Sequence, residues 1–248
     1  MGARASAIGY TSSCLRDTWS LFNNVGGLAQ VKALSAAFTY DAHGSFRPFH
    51  KMATAVAIPF GVGVAGVGMY HFGDQAYNEQ ILTSGFSTEF GLASLGLKLN
   101  YVQYNATGFG RKALFTISFG GIAQLTPKIS FGAHITNLNQ PKLTDANDEQ
   151  VPTILTAGIL FKISDKTLMA TEIEKDLSFK PTWKAGLEYH ANAKFWVRSG
   201  INLHPNAGFF GVGFKSKKFT LDYSFKYSSQ TGPRHQASVG YTMPTTKK

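Results

Sequence analysis

From residue 31 onward apolar and polar side chains alternate with a period of two, the pattern of strands that have one apolar and one polar face. Ala93, Leu95, Leu97, Leu99 and Tyr101 stand against Ser94, Gly96, Lys98 and Asn100, and Phe219, Leu221, Tyr223, Phe225 and Tyr227 against Thr220, Asp222, Ser224 and Lys226. The same alternation runs through residues 113–119, 129–136 and 183–190. About fourteen strands are predicted, at 31–41, 50–60, 62–72, 79–89, 92–105, 111–125, 128–138, 151–162, 167–176, 182–192, 194–204, 207–216, 218–228 and 235–243, with ends placed to within about two to four residues. Most reach the ten or so residues that a tilted strand needs to cross a bilayer. The expected fold is all-β, a transmembrane antiparallel barrel of about 14 strands spanning residues 31–243, followed by a short polar tail at 244–248.

The connections carry a second, independent signal. After even-numbered strands they are minimal, such as Gly61, Phe90-Gly91 and Thr126-Pro127-Lys128. After odd-numbered strands most are longer, as at 42–49, 73–78 and 139–150. Short turns on one rim and longer loops on the other mark an outer-membrane barrel with its short turns in the periplasm. An even strand count then places both termini on the periplasmic side.

Residues 1–30 break the pattern. They combine small residues, a helix-like run at 15–22 and an Asn-Asn-Val-Gly-Gly break, with no strand edge to pair. We read them as a plug that the barrel closes around, with Asp17, Trp19, Phe22, Asn23, Asn24, Gly26 and Gly27 as its candidate functional residues. Trp19 and Phe22 are three apart, the spacing of one helix face. Residues 2–6 resemble the small-residue start left by signal-peptide cleavage, so an exported mature chain behind Met1 is expected.

Composition agrees with many strands joined by tight turns: 26 Gly, 20 Phe and 10 Tyr against 15% charged residues. Eighteen consecutive apolar residues occur nowhere, which excludes a transmembrane helix and leaves a barrel untouched, because a barrel shows lipid only every second residue. The net charge of +10 is spread singly along the chain without a basic cluster, so nucleic acid is not an expected partner. The lone Cys14 has no internal disulfide partner.

With the pattern established, the chain resembles the FadL-like outer-membrane barrels, and within them the PorV/PorQ-type proteins of Bacteroidota linked to type IX secretion. The resemblance rests on Gly2-Ala3-Arg4-Ala5 leading to Ile8-Gly9, then Asp17-Thr18-Trp19-Ser20-Leu21-Phe22-Asn23-Asn24 and Gly26-Gly27-Leu28-Ala29. It continues in Lys180-Pro181-Thr182-Trp183-Lys184-Ala185-Gly186-Leu187-Glu188-Tyr189 and Val197-Arg198-Ser199-Gly200. Two positions depart from the family pattern: Val25 stands where a proline is usual, and Lys184 where an arginine is. The resemblance implies that the N-terminal segment sits inside the barrel.

The polar faces supply the remaining candidates, which are expected to line the lumen: Lys98, His134, Lys162, Glu172, Glu174, Lys184, Glu188, Arg198, Asp222 and Lys226. Glu172, Glu174 and Asp176 recur at every second position and share one face, balanced by the cations into a mixed-charge interior without the single sign of a selective ion pore. Other chemistry finds no support. The G-x-G-x-x-G run at 61–66 continues into a strand where a nucleotide fold needs a helix. The seven histidines are dispersed without metal-ligand spacing, and no G-x-S-x-G elbow accompanies the serines. The acidic run at 144–150 lacks the twelve-residue calcium-loop pattern and reads as a solvated tip. No enzyme and no cofactor is expected.

Three functions remain compatible with this reading. The preferred one is an accessory subunit of an envelope complex such as type IX secretion, in contact with outer-membrane lipid and other envelope proteins. The second is a passage for a small hydrophobic ligand. The third, a soluble β-barrel that binds a ligand or partner, shares the period of two and differs in which face turns outward. Aromatics near strand ends (Tyr40, Phe60, Tyr101, Tyr189, Tyr227 and Tyr241) resemble interfacial girdles and favour a bacterial outer membrane.

Overall fold

The computed structural model describes residues 1–44, 50–108, 110–143, 150–177 and 179–244. The described residues form fourteen strands: β1 (Ser35–His43), β2 (Lys51–Phe60), β3 (Gly63–Gly73), β4 (Tyr77–Phe90), β5 (Ala93–Ala106), β6 (Gly110–Thr126), β7 (Ile129–Thr136), β8 (Ile154–Ser164), β9 (Thr167–Asp176), β10 (Thr182–His190), β11 (Phe195–Leu203), β12 (Ala207–Lys215), β13 (Phe219–Ser228) and β14 (Gly232–Thr242). Each pairs antiparallel with its sequence neighbours, and β1 pairs with β14 from Ser35↔Thr242 to His43↔Arg234, closing the barrel. Closure leaves no unpaired edge, which is the condition for a sheet to survive in lipid.

The apolar faces turn outward. Leu95, Leu97 and Leu99 of β5, Phe115 and Phe119 of β6, and Phe219, Leu221 and Tyr223 of β13 are all exposed on the outer surface. Their alternating partners Ser94, Lys98, Asn100, Thr116, Ser118 and Ser224 are buried inside. A continuous apolar band of this extent is incompatible with a water-facing wall and is the lipid face of a membrane barrel. This orientation excludes the soluble barrel. Of the girdle candidates, Tyr40, Phe60, Tyr189, Tyr227 and Tyr241 are exposed, and Tyr101 is half-buried against Phe115 at 5.3 Å.

Some local expectations need correction. The helix-like run at 15–22 is a single 3-10 turn, Thr18–Leu21. Asp17 caps it through the Trp19 amide at 2.9 Å, and beyond Phe22 the chain folds back until Gly27 packs on the Leu15 carbonyl, which leaves no room for a second turn. A short α1 (Ala3–Ala7) and a second 3-10 segment, Val25–Gln30, form where no helix was predicted. Strand β1 starts at Ser35 because residues 31–34 lead out of the plug, and Leu34 then accepts from the Met243 amide at 2.8 Å. Strand β7 stops at Thr136, where Asn137 takes a positive φ of 58°. The run at 144–149 lies outside the described residues.

Strands β1 and β14 begin and end on the rim that carries the short turns. Residues 1–30 occupy the lumen, and most of them are buried.

Candidate functional site: the plug and its seat

The plug follows the inner wall instead of crossing it. Its amide at Ala3 donates to Ser238 Oγ of β14 at 2.7 Å, and Ser6 accepts from Ser224 Oγ of β13 at 2.8 Å. Further on, Ser13 and Asn24 reach β9 and β6, and Thr18 Oγ1 lies 2.8 Å from Ser35 Oγ of β1. One short segment thereby ties strands that are far apart around the barrel.

Close approach is made possible by a belt of inward-facing glycines that pair across strands: Gly66↔Gly85, Gly96↔Gly120, Gly132↔Gly158 and Gly186↔Gly200. A Cβ at Gly132 or Gly158 would collide with Ser13, one at Gly186 or Gly200 with Ile8 and Gly9, and one at Gly96 would come within 2.9 Å of Val25. The wall is thus narrowed to bare backbone where the plug lies against it, the use of strand glycine that close backbone contact requires.

Between β1 and β5 the seat is apolar. Trp19, Leu21, Val25 and Leu28 pack on Ala53, Ala55 and Ala57 of β2 and on Val64 and Tyr70 of β3. Trp19 and Phe22 do share a side, with ring centroids 6.3 Å apart. Val25, in the place of the family's proline, caps this nest over Gly85 and Gly96.

Between β8 and β13 the seat is ionic. Arg4 binds Glu188 with two parallel bonds, Nε to Oε2 and Nη2 to Oε1, both 2.9 Å, and reaches Asp17 at 3.4 Å. Glu188 also accepts from Arg198 Nε at 2.6 Å, and Arg198 Nη1 donates to Asp222 at 2.7 Å. His190 Nε2 lies 3.0 Å from Glu188, and the Arg198 guanidinium sits over the Trp196 ring at 5.3 Å. Arg198 is only 2% exposed, so its buried guanidinium charge needs these partners. Burial opposes the Arg4 charge, but Glu188 and Asp17 outweigh it and raise its pKa above the ordinary arginine value. In a second cluster Lys184 Nζ donates to Glu172 at 3.1 Å and Glu174 at 2.7 Å, and Glu172 accepts from the Ser13 amide at 2.8 Å.

The other candidates play separate parts. Lys98 Nζ donates to the Phe22 carbonyl at 3.2 Å. Asn24 Nδ2 donates to the carbonyls of Ser13 at 2.7 Å and Gly121 at 2.9 Å, and its Oδ1 accepts from the Gly26 amide at 3.1 Å, which makes it the joint between plug and wall. Asn23 pairs with the Met1 amino group, and Gly27 packs against Leu15 and Ser20. Lys226 lies over the Phe209 ring at 5.6 Å, outside both clusters. Lys162 belongs to the rim, paired with Asp165 at 2.9 Å. His134 Nδ1 is buried with no hydrogen-bond partner among the described residues. Arg4, the hub of the larger network, was not among the sequence candidates, although it stands in the Gly2-Ala3-Arg4-Ala5 stretch that carries the family resemblance and is a lone cation among small residues. The described residues contain no group of three or more metal-ligating side chains.

The plug lies between two cavities. One, of about 530 Å3, faces the short-turn rim and is lined by Arg4, Arg16, Asp17, Glu188, Trp196 and Lys215 among others. The other, of about 320 Å3, faces the long loops and includes Tyr10, Phe22, His134, Glu174, Lys184 and Asn202. Both have charged walls.

Comparison with known proteins places this geometry. None of the curated proteins matches the chain. Among solved structures it is similar to the CymD monoaromatic hydrocarbon channel (TM-score 0.77, 14% identity, 98% of this chain and 97% of that one). It is also similar to the Ralstonia pickettii toluene transporter TbuX (TM-score 0.75, 12% identity, 98% of each chain) and the Pseudomonas putida toluene transporter TodX (0.72, 12%, 98% and 97%). At such identity the likeness shows the fold alone, a FadL-like outer-membrane barrel. Residues 70–241 match the family model described as "Type IX secretion system membrane protein PorP/SprF". That match spans β4 to β13 entire, with most of β14 and the end of β3, so the chain belongs to the PorP/SprF family of type IX secretion system membrane proteins.

Proposed function

We propose that the protein is a non-conducting accessory subunit of a type IX secretion envelope complex, with its plug held closed and its short-turn rim in the periplasm together with both chain termini. The observation that carries this reading is the double seat of the plug. A segment fitted against bare glycine backbone, tied by Arg4 to Glu188 and by Asn24 to the wall, is built to stay. A hydrophobic solute would have to cross a lumen walled by paired charges, each costly to desolvate or separate.

The test has two arms. Purification from native outer membranes of the host should recover an envelope protein at fixed stoichiometry, and the absence of one sinks the accessory role. Proteoliposomes carrying the barrel should take up toluene no faster than empty ones. Facilitated uptake would instead support the second reading, a passage for small hydrophobic compounds, which the fold likeness to aromatic-hydrocarbon channels favours.

A further inference from the structure

The chain's net charge of +10 is distributed very unevenly along the barrel axis. In the lumen Arg4, Arg198 and Lys184 are matched by Glu188, Asp222 and Glu172. The excess lies on the short-turn rim. Four consecutive turns, from β6–β7 to β12–β13, expose Lys128, Lys166, Lys194, Lys215, Lys217 and Lys218. The acid of these turns, Asp165, is taken by Lys162, and farther round the rim Glu89 is taken by Lys32 at 3.1 Å. None of the six forms an ion pair among the described residues. The two other short turns, β2–β3 and β4–β5, carry no lysine and expose Phe60, Val62, Phe90 and Leu92 instead.

Unpaired like charges on one arc repel each other, and together they set up a potential that attracts an oppositely charged body. Lipid headgroups surround a barrel on every side, so a lipid-anchoring role gives no reason to confine the lysines to four of six turns. Lipid also does not reach the 530 Å3 cavity that opens on this rim, where Arg16 and Lys215 line the wall beside the paired Arg4 and Lys32. We infer that the arc of short turns from β6 to β13 docks an acidic face or segment of a soluble protein. This rests on the proposed periplasmic placement of the short turns.

The barrel is reconstituted in zwitterionic phosphatidylcholine nanodiscs and titrated with a fluorescein-labelled oligoglutamate peptide. Saturable binding that disappears at high salt is expected, weakened at least about tenfold by K128E/K166E/K194E/K217E/K218E. Reversing Lys112, Lys175 and Lys180 on the opposite rim should leave it unchanged. Heat-modifiable gel mobility reports folding, and a K194Q/K217Q/K218Q variant gives the same reading with fewer changes. No binding by the wild type, or equal binding by the arc variants, overturns the inference. Loss of wild-type binding when phosphatidylglycerol is added to the discs overturns it as well, since lipid is then the occupant. Placement is read separately, from Lys166→Cys and a membrane-impermeant maleimide. Labelling in intact cells means that the topology has failed, whereas labelling only after outer-membrane permeabilisation means that a negative peptide result counts against the arc itself.

Discussion

The two halves of the plug's seat hold one segment by opposite chemistries. On β2–β5 the wall offers alanine and glycine, and Leu21, Val25 and Leu28 fill the space, so contact there stabilises by removing apolar surface from water. On β8–β13 the wall offers Glu188, Arg198, Glu172 and Lys184, and the plug adds Arg4 and the Ser13 amide. Burying these charges costs desolvation that the pairing largely offsets, so little net stability is gained. What the ionic half supplies is register, because a bidentate guanidinium–carboxylate bond is satisfied in one position only. The apolar half provides adhesion and the ionic half decides where the plug stops.

The contrast is sharpest when a charge is left alone. Arg198→Met strips Glu188 and Asp222 of a buried partner and should cost about 3–5 kcal/mol in denaturant unfolding. Replacing Arg4, Glu188, Arg198 and Asp222 together by apolar residues of similar volume should cost far less; an equal loss would show that the network supplies adhesion after all. On the apolar side Leu28→Ala, fully buried, should cost about 2–5 kcal/mol with the ionic register intact. Asn24→Ala, at the joint, leaves the Ser13 and Gly121 carbonyls short of a donor and should cost about 1–3 kcal/mol. The exposed Lys32–Glu89 pair is the low end, and Lys32→Ala should cost no more than about 1 kcal/mol.

Cys14 reports on the seat directly. It is buried where the plug meets the wall, its Sγ 3.5 Å from the Ser130 and Gly158 carbonyls, and burial pushes its thiol up to about 11, so thiolate is scarce at neutral pH. Maleimide should label the folded wild type slowly. Arg198→Met should accelerate labelling by freeing the ionic half, and Leu28→Ala should do so less. The reverse order would mean that the apolar nest also sets the register.

Much of the fold was legible because a pleat is a local object. In β13 the alternation from Phe219 to Tyr227 is complete within one strand, and the 167–176 prediction coincides with β9 to the residue. Helices in the plug were less legible. The four small residues and one arginine of Ala3–Ala7 show no periodicity, and the run at 15–22 has helical spacing that its tertiary surroundings cut short. The lumen candidates could be assigned to a face but not to a partner. Glu188 and Arg198 sit opposite each other on adjacent strands, within reach of hairpin reasoning, whereas Arg4 meets Glu188 across 184 positions of sequence.

By itself the sequence determined the number of strands, the turn asymmetry and the two-faced wall, since each depends on spacing along a few neighbouring residues. Only the tertiary structure decided which face met lipid and how the plug was seated. Both depend on closure, which brings Ser35 against Thr242 and sets glycines from eight strands into one belt. A strand glycine reads as a gap in the pattern until the backbone that fills it arrives from the other end of the chain.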